Sequence, residues 1–312
     1  MEPISVVFMG TPDFAVPCLE MLCEKQYHIK AVITQPDRPK GRGQKLVESP
    51  VKACAVKHGL TILQPQKIKT PEFEAILEEL NPDLIVVVAF GQILSKRILD
   101  IPRLGCVNVH ASLLPKYRGA APLHWSVIRG ESKTGVTTMF MDEGLDTGDM
   151  LLTAEMDITN ETTTGDVHDT LQAMGADVLA ETIEQLIAGT AVRRVQNHAE
   201  ATYAPLLTKE LERIDWTQSA VDIHNLIRGL NPWPGSYTIC RDKRLKLWAS
   251  EVLTEQTNAE AGTVVRAEGE RLIVATGDGV IALLNVQPEG KKRMAAGDFA
   301  RGYQIAAGEI LG

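Results

Sequence analysis

Along the first half of the chain, short uninterrupted apolar runs alternate with segments of helical period. Ile4–Met9, Ile29–Thr34, Leu60–Leu63, Asp83–Phe90 and Gly105–His110 read as strands, most plainly over Leu84–Ala89. A strand that is apolar at successive positions is buried on both faces, which places it in a parallel sheet between helix layers. The intervening helices start at Thr11-Pro12, Ser49-Pro50 and Thr70-Pro71, each a capping side chain followed by proline at the first helical position. Such alternation predicts an α/β domain built on a Rossmann-like, doubly wound, mostly parallel sheet. Gly10, Thr11, Pro12 and Asp13 follow the first strand, where a dinucleotide-binding sheet carries GxGxxG. Without that fingerprint a nicotinamide cofactor is not supported.

The pattern then changes. Thr163 and Asp166 form a capping box that opens a long helix toward Leu186, Val192–Leu207 lacks periodicity, and Ser219 and Asp222 cap one further helix to about Leu230. Beyond Asn231–Gly235 the strands become short and closely spaced: Ser236–Cys240, Leu245–Trp248, Thr263–Arg266, Arg271–Ala275 and Val280–Val286, with Gly277, Asp278 and Gly279 turning between the last two. Short strands without crossover helices predict a small OB-like antiparallel β-barrel domain. The expected organisation is the α/β domain over 1–190, a linker over 191–207 and the OB-like domain over 208–312.

Composition narrows the compartment and the partners. No apolar run approaches the ~18 residues of a membrane span, so no membrane partner is expected. Ile4–Met9 follows Glu2 rather than a basic region and stops at Gly10, which suits a buried first strand and not an export signal. Cys18, Cys23, Cys54, Cys106 and Cys240 are odd in number and contain no CxxC pair. That is the usage of buried thiols in a reducing, cytoplasmic setting rather than of disulfides or structural zinc. The net charge of −8 weighs against a nucleic-acid partner, but it is uneven. Residues 1–205 carry 19 Lys and Arg against 26 Asp and Glu, whereas residues 206–312 carry 13 against 14. Basic clusters stand at Arg38, Lys40, Arg42 and Lys45; at Arg241, Lys243, Arg244 and Lys246; and at Lys291, Lys292 and Arg293. Each alone is as readily a solvated loop, so RNA needs independent support.

Two segments carry chemistry. In Gly105–Gly119, Asn108 and His110 stand two apart on a strand and project from one face while Val107 and Val109 pack on the other. The carboxyl end of a parallel strand is where such sheets place ligands. In Met141–Asp149, glycines and carboxylates mark a loop after a strand over Gly135–Phe140. The spacing of Asp142, Glu143, Asp146 and Asp149 does not fit a calcium loop, so no metal is expected, and a carboxylate brought beside a histidine is the alternative.

Asn108, the run His-Ala-Ser-Leu-Leu-Pro-Lys-Tyr-Arg-Gly from His110 to Gly119, and Gly-Leu-Asp-Thr-Gly from Gly144 to Gly148 together resemble the signature of the 10-formyltetrahydrofolate-dependent formyltransferases. The resemblance implies that Asn108, His110 and Asp146 are the catalytic trio. It also implies that Ser112, Leu113, Leu114 and Pro115 bind folate, that 10-formyltetrahydrofolate is the formyl-donor co-substrate, and that no metal takes part. The chemistry agrees. Acyl transfer to an amine develops an oxyanion that an Asn amide and a protonated His nitrogen can hold. A carboxylate can accept the amine's proton, directly or through water, and favour charged His. The sequence leaves both His110 and Asp146 as proton carriers.

Members acting on glycinamide ribonucleotide, on amino sugars or on water would share the trio. A nucleic-acid-binding module with an inert copy of the motifs is a reading of another class, and the presence of all three residues argues against it. A small nucleotide gives no need for residues 208–312. Gln35–Lys45, with its Gly-Arg-Gly core around Arg42, resembles the basic insertion of the methionyl-tRNA branch of the family, and Gly119–Pro122, Asn231–Pro234 and Thr276–Gly279 extend the resemblance through both domains. The implied reaction is formylation of the α-amino group of initiator methionyl-tRNA, in support of translation initiation. Its implied partners are that tRNA and the folate, with no obligate protein partner. The tRNA contacts expected are Arg38, Lys40, Arg42, Lys45, Arg244, Lys246, Lys291 and Lys292, cations able to meet phosphates.

Overall fold

The computed structural model describes residues 4–40 and 45–312. In chain order the elements are β1 (Ser5–Gly10), α1 (Val16–Glu24), β2 (His28–Ile33), β3 (Arg38–Lys40), β4 (Lys45–Val47), α2 (Pro50–Lys57), β5 (Ile62–Leu63), α3 (Pro71–Leu80), β6 (Leu84–Val88), α4 (Lys96–Leu99), β7 (Cys106–His110) and β8 (Arg118–Gly119). They continue as α5 (Pro122–Ile128), β9 (Lys133–Phe140), β10 (Met150–Asp157), α6 (Thr164–Ala188), β11 (Tyr203–Ala204) and α7 (Ala220–Gly229). The last are β12 (Ser236–Cys240), β13 (Lys243–Leu253), β14 (Val264–Glu268), β15 (Arg271–Ala275), β16 (Val280–Pro288), β17 (Met294–Ala295) and α8 (Ala296–Tyr303). Packing divides them into two units: one of the residues up to Gly119 with Thr134–Met156 and His168–Ala204, the other of Ala120–Lys133, Asp157–Val167 and Pro205–Gly312.

The first unit is a seven-stranded sheet in the order β10-β9-β7-β6-β1-β2-β5. β5, β2, β1, β6 and β7 run parallel, and β9 then pairs antiparallel with β7. β1, β6 and β7 are buried along their whole length, β6 as its unbroken apolar run requires, and β7 with the polar Asn108 and His110 on one face. Val7, Met9, Ile85 and Val87 pack with Phe73, Leu77 and Ile98 in one core cluster. Two of the three expected helix starts follow their caps: Ser49 Oγ accepts from Lys52 N at 3.0 Å and Thr70 Oγ1 from Phe73 N at 3.3 Å. Thr11, by contrast, caps no helix, and α1 begins only at Val16, after Ala15 and without a side-chain cap. Thr163 and Asp166 bond reciprocally, Thr163 N to the Asp166 carboxylate at 2.8 Å and Asp166 N to Thr163 Oγ1 at 3.2 Å. One strand of the seven-stranded sheet is absent from the sequence expectation. In β10, Thr153, Glu155 and Asp157 are exposed between partly buried neighbours, the alternation of an edge strand, so no continuous apolar run marks it.

The second unit is an antiparallel sheet in the order β12-β13-β16-β15-β14, with β17 on β16. The residues after α8 close it. Val264 N donates to Glu309 O at 2.7 Å, Leu311 N to Gly262 O at 2.8 Å and Gly312 N to Ile239 O at 2.9 Å, joining the β14 edge to the β12 edge. Trp216, Ile223, Leu245, Leu247, Val274, Leu283 and Phe299 form its core. α8 is absent from the sequence expectation because Ala-Gly-Asp-Phe-Ala-Arg-Gly-Tyr offers a single large apolar residue, Phe299, to the core; α5 and the two-residue β17 are absent from it too. Among the described residues no helix is long and apolar enough to cross a membrane.

Asp83 fastens the start of β1 to the turn before β6. Its carboxylate accepts from Ser5 N at 2.7 Å, Ser5 Oγ at 2.8 Å and Arg103 Nε at 2.5 Å. Those bonds, the Ser5 backbone N–H foremost, pull its pKa down to about 2. The folded pKa lies below the unfolded value of about 3.9, so the stabilisation is complete above that value and disappears as pH falls toward 2. Asp83→Asn is therefore expected to lower the urea midpoint at neutral pH, with the gap to wild type narrowing below about pH 4. Equal gaps at pH 6 and pH 3 would show that the ionised carboxylate contributes nothing.

Candidate active site

The site is built on β7 because its side chains divide by face. Val109 points to α6, where a Cβ added at Gly175 would sit 3.2 Å from Val109 Cγ1. Alternation then turns Asn108 and His110 to the opposite face. Both are buried, at 8% and 6% exposure. The Asn108 amide makes no hydrogen bond among the described residues.

His110 Nε2 lies 2.9 Å from the carbonyl oxygen of Tyr117. A carbonyl only accepts, so Nε2 carries a hydrogen and the neutral ring keeps its lone pair at Nδ1. Nδ1 lies 3.7 Å from Asp146 Oδ2, and the same oxygen accepts from Gly119 N at 2.8 Å. Tyr117 (φ 60°) and Asp146 (φ 52°) both occupy the left-handed region, which a residue with a Cβ keeps only where its surroundings over-determine it. Tyr117 N donates to Thr202 Oγ1 at 2.9 Å. The loop of Asp146 is held by Gln196, whose Nε2 donates to Asp146 O and Gly148 O, both at 2.8 Å.

The Ser112–Pro115 segment follows directly. Ser112 Oγ donates to Lys116 O at 2.6 Å, and Thr137 Oγ1 donates to Ser112 O at 2.7 Å while accepting from Leu114 N at 3.2 Å. The Leu114–Pro115 peptide bond is cis. Gly135 makes the approach to β9 possible, since a Cβ there would lie 2.6 Å from Leu113 Cδ2 and 2.0 Å from Ala154 O. On the loop after β6, Gln92 Nε2 is a buried donor without a partner among the described residues, its Oε1 accepting from Ile68 N at 2.9 Å. Sequence reasoning named neither Gln92 nor Gln196, since a lone polar residue in an aperiodic loop carries no pattern.

The remaining loop carboxylates are not grouped as metal ligands. Asp142 Oδ1 accepts from Gly144 N at 3.0 Å and Thr147 Oγ1 at 2.6 Å, which shapes the turn itself. The ligand-like group found among the described residues is Glu20, Cys54 and His58, whose ligand atoms lie within 4.8 Å of one another. Burial pushes the Cys54 thiol up to about 11, away from the thiolate a metal binds.

Of the expected RNA contacts, Arg42 lies outside the described residues and only the backbones of Lys40 and Lys45 are described. Arg38 is exposed on β3, which pairs with β4. On the second unit the structure brings two clusters together. Arg244 stacks on Tyr237 with Cζ 4.5 Å from the ring centroid, while Lys246 Nζ and Arg293 Cζ lie 5.3 Å and 3.6 Å from the Trp248 ring. Lys291 and Lys292 are exposed beside Arg293. Arg241 is set apart, bound to Glu309 at 2.6 Å and to the carbonyls of Tyr303 and Gln304.

Comparison with known proteins matches residues 4–183 to the formyl transferase model and residues 206–304 to the formyl transferase C-terminal domain. Among solved structures, an N-formyltransferase from Helicobacter canadensis, in complex with folinic acid and dTDP-3-aminofucose, superposes with a TM-score of 0.69 over 91% of this chain and 99% of that one. HypX from Aquifex aeolicus, in complex with tetrahydrofolic acid, superposes with a TM-score of 0.63 over 98% of this chain and 48% of that one. At 20% and 16% identity these likenesses concern the fold. The sequence relatives are nearer: methionyl-tRNA formyltransferase of Clostridioides difficile is 50% identical over 99% of this chain and 100% of that protein, and that of Bacillus subtilis 50% identical over 98% and 97%. On identity of that breadth, carried through both matched domains, the chain belongs to the methionyl-tRNA formyltransferase family.

Proposed function

We propose that the chain transfers the formyl group of 10-formyltetrahydrofolate to the α-amino group of methionine carried by initiator tRNA, and that Asn108, His110 and Asp146 carry the chemistry. The observation behind this reading is the amide of Asn108, a residue 8% exposed that makes no hydrogen bond among the described residues, beside a histidine whose Nδ1 faces a fixed carboxylate. The neutral amine attacks the formyl carbon, a C–N bond forms, and the carbonyl oxygen becomes an oxyanion to which the Asn108 amide donates. The amine proton passes to His110 Nδ1, and Asp146 stabilises the resulting imidazolium. Nδ1 then delivers the proton to the folate N10 as the C–N10 bond breaks, so donor and acceptor exchange one formyl group for one proton. Ser112, Leu113, Leu114 and Pro115 bind the folate, with Gln92 Nε2 as a further donor.

Residues 1–190 serve catalysis, with 191–204 packed in the same unit, and 208–312 bind tRNA. Arg244, Lys246, Lys291 and Lys292 meet phosphates of the tRNA, as do Arg38, Lys40, Arg42 and Lys45. Trp233, 67% exposed, suits stacking on a base. The protein acts in the cytoplasm, in keeping with five free cysteines, and needs no obligate protein partner. Transfer to an amino sugar or to water is the second reading, motivated by the fold shared with the sugar enzymes.

Labelled 10-formyltetrahydrofolate offered with methionyl-initiator tRNA, glycinamide ribonucleotide, an amino-sugar nucleotide or water alone decides between them. Label is expected on the tRNA, and label elsewhere would overturn the proposal. Alanine at Asn108, His110 or Asp146 is expected to slow single-turnover formyl transfer by about two orders of magnitude or more, with folate binding and the melting curve largely retained. A folded His110→Ala protein with near-normal chemistry would refute the assignment. Arg244→Ala with Lys246→Ala is expected to weaken tRNA affinity without changing that for folate. The slope of log affinity against log salt is expected to flatten by about 0.7–0.9 for each phosphate that the variant no longer neutralises. An unaltered slope and affinity would return these cations to the solvated surface.

A further inference from the structure

We infer that Gln196 is a positioning residue for the formyl-transfer step, acting through Asp146 and polarised by the buried cation of Arg118. The inference rests on the catalytic reading of Asp146 given above. Gln196 stands between α6 and β11, past the residues matched by the N-terminal family model, and is 3% exposed. Its Nε2 donates to the carbonyls of Asp146 and Gly148, both at 2.8 Å. Its Oε1 accepts from Arg118 Nε at 3.1 Å and Nη2 at 2.6 Å. The amide orientation is thereby forced, since a flip would set an oxygen against two carbonyls and an NH₂ against a guanidinium.

Arg118 is 2% exposed, and none of the salt bridges among the described residues involves it. Its remaining partner is the neutral nitrogen His198 Nδ1 at 3.1 Å, which must accept because arginine only donates. A buried guanidinium whose charge no carboxylate cancels polarises the amide it touches and strengthens the hydrogen bonds given from the far side of that amide. The residue after Arg118 is Gly119, whose N–H holds the Asp146 carboxylate. One strand end thus fixes Asp146 twice: Gly119 holds the side chain, and Arg118 through Gln196 holds the backbone carbonyl on either side of Thr147. The left-handed φ of Asp146, which aims its carboxylate at His110 Nδ1, is kept by these two grips together.

Gln196→Glu separates positioning from folding. The substitution keeps shape and turns the interaction with Arg118 into an ion pair, but it removes both donors to the loop. Single-turnover transfer at saturating tRNA and folate is expected to fall about 10- to 100-fold, the scale of a 1 Å misplacement of a reacting group. KM for both substrates and the melting midpoint are expected to stay close to wild type. Gln196→Met, of similar size and without hydrogen bonds, is expected to give the same loss. In an Asp146→Ala background neither substitution is expected to slow the reaction further, because the group they position is gone. Full-rate transfer by a folded Gln196→Glu protein, or an undiminished loss on top of Asp146→Ala, would overturn the inference. If Asp146→Ala itself transfers at the wild-type rate, the reading of Asp146 falls and takes this inference with it. An impaired Asp146→Ala beside an unimpaired Gln196→Glu removes the positioning role alone.

Discussion

The hydrogen bond from Gly119 N to Asp146 Oδ2 is the interaction on which the site depends. It ties the segment leaving β7 to the loop returning from β9, and among the described residues it alone holds the carboxylate oxygen that lies 3.7 Å from His110 Nδ1. The bond needs glycines at its supports. Gly119 has φ 115° and would place a Cβ 2.9 Å from Ala204 O, while a Cβ on Gly148 would fall 1.9 Å from Phe140 O. Close backbone approach at both ends leaves the intervening loop little freedom, and Asp146 is then a carboxylate on a rigid frame rather than on a mobile tip.

How much of this was legible in the sequence depends on whether a feature has a period or a local cap. β1 and β6 were legible because burial on both faces demands nearly unbroken apolar runs, β7 because valines alternate with Asn108 and His110, and α2, α3, α6 and α7 because their caps are chemical signals next to their own helices. β10 and α8 were not, because one is an edge strand and the other meets its core through little more than Phe299. The shared face of Asn108 and His110 was legible as spacing on a strand, and the loop carrying Asp146 as a run of glycines and carboxylates. The hydrogen bond of His110 to Tyr117 O was not, since it depends on a left-handed Tyr117 that no residue type announces. Gln196 was invisible for a related reason: its partners lie 48 to 78 positions away, and the segment that carries it has no periodicity.

The charges of the chain divide by their surroundings. Arg118 is desolvated and held by neutral acceptors, an arrangement that costs stability and is retained where a fixed positive field is of use. Arg244, Lys246 and Arg293 instead lie over aromatic rings at the surface of the second unit, which orders them while leaving their charge in water. An acidic chain thereby keeps a local cationic face on Tyr237 and Trp248, so that the net charge of −8 does not argue against a polyanionic substrate.

Division by chain order and division by packing do not coincide, and the difference bears on what a truncated chain would report. The chain leaves the first unit immediately after Gly119, the donor to Asp146, and α5 then packs within the second unit. There Trp125 Nε1 donates to Pro205 O at 2.8 Å, and a Cβ on Gly229 of α7 would lie 2.4 Å from Ile128 Cγ1. Arg228 on α7 donates to the carbonyls of Thr159 and Thr162 at 2.9 Å, holding the approach to α6. A chain cut near residue 207 would keep Asn108, His110 and Asp146 but strip α5 and the start of α6 of these partners. Loss of activity in such a fragment would then report disrupted packing next to Gly119 as well as weaker RNA binding. Point substitutions at exposed cations, which leave α7 in place, are the cleaner measure of what residues 208–312 contribute to the substrate.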